Sequence, residues 1–69
     1  MSDKLHWFKW ANEDFCWYFS DIVEVDENGS PAAIMCHSAM YGPCIAYLRK
    51  GKLIGVAQTG TNEAIPDTD

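Results

Sequence analysis

Trp7, Phe8, Trp10, Phe15, Trp17, Tyr18 and Phe19 put seven of the chain's nine aromatic rings into thirteen residues. Each ring has roughly 150–250 Å² to bury. A helix over residues 2–18 would send rings to every side of the cylinder and would be built from poor helix formers. Strands sort the rings onto two faces of a pleated surface, where aromatic residues are favoured. This is more ring surface than one small strand pair can bury. The cluster predicts a β fold in which some rings form the core and others face a partner.

The chain has 69 residues, enough for one domain. At this size only about 60% of the unfolded surface is buried on folding. That thin margin keeps a homodimer open as a way to cover the remaining rings. Ten acids against five bases give a net charge of −5, which disfavours nucleic acid because phosphate contacts dominate that affinity. The bases are segregated, with Arg49, Lys50 and Lys52 in one turn and Lys4 and Lys9 elsewhere. The acids gather at Glu13 and Asp14, between 21 and 27, and at Glu63, Asp67 and Asp69. Such a field serves solubility and steers a basic partner.

Cys16, Cys36 and Cys44 are an odd number. Residues 1–4 lead into amphipathic sequence without an apolar signal region. Together these features predict free thiols in a reducing, cytoplasmic setting. No apolar run approaches the ~18 residues of a membrane span.

Strand signals fall at residues 5–10 and 15–19, joined by a four-residue loop at 11–14. The second strand runs on through Ser20 and Asp21 into residues 22–26. Asn28-Gly29 predicts a hairpin turn with positive φ at both positions. Pro31, which lacks an N–H, belongs at a strand start or an edge, and the return strand covers 32–37. Residues 38–43 form a connection with a turn at Tyr41-Gly42-Pro43. A last hairpin joins 44–49 to 52–58 over Lys50-Gly51. The domain is then 1–58, with 59–69 a disordered acidic tail. The expected fold is all-β, a single antiparallel meander of about five strands curled into an open barrel or half-barrel, SH3-like or OB-like in outline, a label that carries no function.

The turns suggest registers. A four-residue first loop pairs Trp10 with Phe15, Phe8 with Trp17 and His6 with Phe19. That face continues as Val23 and Val25 opposite Ile34 and Ala32, and is the expected core. The other face carries Leu5, Trp7, Lys9, Cys16, Tyr18, Ile22, Glu24, Ala33, Met35 and His37. Trp7, Tyr18, Ile22 and Met35 make a patch there, with Glu24 beside them. Exposed patches of this kind mark interaction sites, and Trp, Tyr and Met are enriched in interfaces. A bulge at Ser20-Asp21 would swap the faces beyond it and turn Ile22 and Met35 inward. In the last hairpin a two-residue turn pairs Ile45 with Val56 and Tyr47 with Ile54. It sets Ala46 against Gly55 and Cys44 against Ala57, small residues that let the aromatic strands approach.

Catalytic and metal chemistry find little support. Structural zinc favours ligand pairs spaced to converge, whereas Cys36 and His37 are adjacent and point to opposite faces of a strand. The same parity argues against Cys36 with His37 as a thiolate–imidazole pair. Buried Cys acting as a small hydrophobe is the ordinary alternative. Asp26-Glu27-Asn28-Gly29 lacks the spacing of a calcium loop and reads as a solvated turn. Only the Arg49–Lys52 tip could touch phosphate, so rings stacking on bases lack a positive groove.

The expectation is a small acidic cytoplasmic protein without catalytic residues, metal or cofactor, which binds another protein, one with a basic surface, by occlusion or scaffolding. Its anchors would be Trp7 and Tyr18, with Ile22, Met35 and Glu24 around them. Phage and mobile-element inhibitors of host factors are often chains of this kind. The alternatives are a nucleic-acid or small-ligand binding β-barrel and a homodimer whose rings serve only self-association.

Overall fold

A computed structural model describes residues 4–67. It is all-β, with one antiparallel sheet curled into a half-barrel. The strands are β1 (Leu5–Trp10), β2 (Glu13–Tyr18), β3 (Ile22–Val25), β4 (Pro31–Ser38), β5 (Gly42–Arg49) and β6 (Lys52–Gln58), with a 3₁₀ turn at Phe19–Asp21. Their order across the sheet is β1-β2-β4-β5-β6, and β3 also pairs with β4.

The first hairpin turns over two residues, not four. Ala11 and Asn12 have φ of 53° and 62°, the double left-handed conformation of a tight hairpin. Asn12 is tolerant of this conformation, but Ala11 gives no sign of it. The register slides by two, pairing Phe8 with Phe15, His6 with Trp17 and Trp10 with Glu13. An even slide leaves every side chain on its expected face. Phe8 and Phe15 stack with centroids 5.2 Å apart, and Phe15 continues the stack to Tyr41 at 6.1 Å.

The long second strand is broken. After Tyr18 the chain makes its 3₁₀ turn, closed by the Asp21 carboxylate accepting the Tyr18 N–H at 2.9 Å. The faces exchange beyond it. Ile22 lies opposite Ile34 and packs on the core, while Phe19, Val23 and Val25 are exposed. The expected core positions of Phe19, Val23 and Val25 are thereby corrected, as is the expected surface position of Ile22. Met35 stays on the outer face, half-buried.

Asn28-Gly29 belongs to a longer loop. Only Gly29, at φ 82°, is left-handed. Asp26 organises the turn by accepting the Asn28 and Ser30 N–H groups at 2.9 Å each. The following connection is short, since β4 runs to Ser38 and β5 starts at Gly42. In the last hairpin Lys50 (φ 51°) and Gly51 (φ 77°) make the expected two-residue turn. A register shift beyond Leu48–Leu53 then pairs Tyr47 with Gly55, Ala46 with Val56 and Cys44 with Gln58. An extra residue in β6 moves each partner by one, which turns Val56 inward and leaves Ile54 exposed.

The concave face holds Phe15, Ile34, Cys36, Cys44, Ala46 and Val56, with Phe8, Trp10 and Trp17 packed against them. Small residues on β4 and β5 make room for rings on β1 and β2. The chain from 59 to 67 folds back over this face, where the composition predicted a disordered tail. Ile65 is 5% exposed and its N–H donates to the Val56 carbonyl at 2.8 Å. The Trp10 indole N–H donates to the Ile65 carbonyl at 2.7 Å, and the Ala11 N–H to the Asp67 carboxylate at 2.9 Å. Among the described residues no helix is long and apolar enough to cross a membrane.

Candidate functional site

The outer face of β1, β2 and β4 collects most of the residues singled out in the sequence. Trp7 stands on β1 opposite Cys16 and is 61% exposed. Tyr18 lies one pleat further along β2 and is 40% exposed. Trp7 and Tyr18 are therefore diagonal neighbours, a separation that long aromatic side chains span. Glu24 is exposed and pairs with Ala33. Met35 lies on the same face of β4, opposite Ile45. Ile22 is separated from this group because it faces the core.

Other exposed apolar residues emerge with the fold. Val23, Tyr47 (43% exposed) and Ile54 also reach solvent. The swap at the 3₁₀ turn exposes Val23, and the shift in β6 exposes Ile54. A surface cavity of about 410 Å³ opens beside Trp7, lined also by Glu13, Asp14, Cys16, His37 and Ser38. Its two carboxylates give this end of the face negative charge. Lys9 approaches Asp14 at 3.9 Å, both exposed, a weak solvated pair.

Cys16, 8% exposed, lines the floor of this cavity with its Sγ 3.0 Å from His37 Nε2. The thiol can also donate to the His37 carbonyl at 3.7 Å. The two residues are direct register partners between β2 and β4, so backbone pairing fixes the contact. Cys36 lies on the opposite face, register partner of Cys44, with 4% and 0% exposure. Burial, with the neighbouring Cys44, Cys16 and Asp21, pushes the Cys36 thiol up to about 12. Burial also raises Cys44. Sequence parity had already put Cys16 and His37 on one face, but their pairing was missed because it depends on how the chain crosses from β2 to β4. Among the described residues no three His, Cys, Asp or Glu side chains converge on a common metal position.

A second cavity of about 220 Å³ lies within the curl of the sheet, lined by Trp7, Phe8, Trp17, Ile34, Ala46, Leu48, Gly51 and Leu53, so Trp7 borders both cavities. Compared with family models, curated proteins and solved structures, the chain matches none.

Proposed function

We propose that the protein is a non-catalytic binding module that docks a basic surface of another protein onto the outer face of β1, β2 and β4. The observation that carries this reading is Trp7, a large ring 61% exposed beside a cavity bearing Glu13 and Asp14. A Lys or Arg laid over an indole face gains about 0.5–2 kcal/mol, and adjacent carboxylates add charge-assisted hydrogen bonds. Tyr18 and Met35 extend the apolar contact around this anchor. The net charge of −5 steers a basic partner towards it, and bound there the protein occludes that partner's surface.

The test is a fluorescence titration with an arginine-rich peptide, an acidic peptide of equal length and a single-stranded oligonucleotide as probes. Saturable binding of the basic peptide alone is expected, weakened by salt and reduced on the order of tenfold in Trp7→Ala. Equal binding by wild type and a folded Trp7→Ala would overturn the reading, and preference for the oligonucleotide would favour nucleic acid instead. Sedimentation over a wide concentration range separates self-association from both. The second, apolar cavity favours one further reading, a small apolar ligand held inside the curl. Binding of an anilinonaphthalene dye that is lost in Ala46→Leu and kept in Tyr18→Ala, a residue of the outer face that does not line this cavity, would support that reading.

A further inference from the structure

The geometry points to Cys16 and His37 as a thiol–imidazole pair whose cavity takes a small cationic disulfide, making Cys16 a site of reversible mixed-disulfide formation. This goes beyond the docking reading, because the chemistry needs only the pair and its cavity. Three observations carry it. Sγ and Nε2 are 3.0 Å apart, the contact between nucleophile and base from which activated thiols are built. Direct cross-strand register holds them there without reliance on a long flexible side chain. The cavity over them, about 410 Å³, falls in the range of small-molecule sites, about 300–1,000 Å³.

The reaction balances without a further oxidant. His37 Nε2 takes the thiol proton, and the Cys16 sulfur attacks one sulfur of the incoming disulfide. A new S–S bond forms to Cys16 as the reagent's own S–S bond breaks. The departing thiolate takes the proton back from the imidazolium and leaves as a thiol. Glu13 and Asp14 line the same cavity, so their charge favours an amine-bearing disulfide over an anionic one. No second thiol of the chain is placed to reverse the step, because Cys36 and Cys44 face the other side of the sheet and do not line this cavity. The adduct therefore persists until an external thiol removes it.

The experiment incubates the native protein with cystamine, in parallel with oxidised glutathione, and follows intact mass with peptide mapping. One cysteamine adduct is expected, on Cys16, forming faster than the glutathione adduct at low salt and losing that advantage at high salt. His37→Gln should slow it on the order of tenfold or more, the scale of general-base assistance, and reductant should restore the parent mass. Mapping needs no variant, so a misfolded Cys16→Ser or His37→Gln protein leaves the test intact. An adduct on Cys36 or Cys44, a Cys16 rate no faster than in urea-unfolded chain, or an unchanged rate in folded His37→Gln would each overturn the assignment. Glutathione reacting as fast as cystamine would overturn the cationic preference.

Discussion

Ile65→Ala tests whether the returning tail is part of the core. The substitution removes three carbons beyond Cβ from a side chain 5% exposed. At roughly 0.8 kcal/mol per buried carbon this is about 2.4 kcal/mol of lost transfer energy, to which any residual cavity adds. The tail lies on the surface and can sink inward, so the cavity term is small and about 2–3 kcal/mol is expected, at the low end for Ile→Ala. A chain of 69 residues has only about 3–10 kcal/mol of total stability. One side chain outside the strands would then carry a quarter or more of it. Urea unfolding followed by tryptophan emission reads this directly, because the Trp10 indole is bonded to the Ile65 carbonyl. With a denaturant slope of about 1–1.5 kcal/mol/M for a chain this small, the midpoint should fall by roughly 2 M. Glu63→Ala, at an exposed position of the same segment, should shift stability by no more than about 0.5 kcal/mol. An Ile65→Ala midpoint within about 0.3 M of the parent would refute the packing described for residues 59–67.

Three further outcomes follow from other parts of the fold. Lys50→Asn should stabilise by about 0.5–1 kcal/mol, because Lys50 holds φ 51° at an exposed turn where Asn is better tolerated, and thermal unfolding should move up by a few degrees, roughly 2–6 °C. Trp7→Ala should change stability by no more than about 0.5 kcal/mol; Trp17→Ala, whose ring stacks on His6 at 4.5 Å and packs on the core, should cost about 2–4 kcal/mol in the same urea assay. Cys36 is raised from 9.0 to about 12, so the folded chain keeps a proton that the unfolded chain releases; its contribution is full below pH 9.0 and is lost as pH rises towards about 12, by at most about 1.4 kcal/mol per pH unit, and Cys36→Ala should flatten that decline in urea midpoints.

Local pattern made much of this legible. Ring-rich runs and turn residues located the strands, and side-chain parity in β1 and β2 survived an error in loop length because the error was even. Lys50-Gly51 was readable because it is a two-residue turn with Gly in it. What failed depended on odd insertions. The three residues of the 3₁₀ turn and the one extra residue in β6 each exchange faces, and Ser20-Asp21 and Ile54 mark those places only weakly. The candidate site divided along the same line. Trp7, Tyr18 and Met35 were readable as one face, whereas Ile22 and Glu24 lay beyond the odd insertion, and Glu24 comes back opposite Ala33 only through a register shift between Ile22 and Glu24. Cys16 with His37 needed a register across 21 positions, which local pattern does not supply. Ile65 was hidden differently, a single apolar residue in a polar segment whose place is set by a distant indole.

The returning tail also limits how copies of this chain could add to one another. A ribbon of molecules grows only if each offers an unpaired strand at both ends of its sheet. On β6, Val56 and Gln58 are already bonded to Ile65 and Glu63, and Ala57 bridges to Ala64. The stretch of β6 before them carries the register shift and Lys52, two features that discourage strand addition. Among the described residues the open edges that remain are β1, flanked by Lys4 and containing Lys9, which discourage addition in the same way, and β3, which pairs only with β4 and carries register shifts of its own. With the β6 end covered in this way, a ribbon that must grow from both ends of the sheet is hindered at one of them.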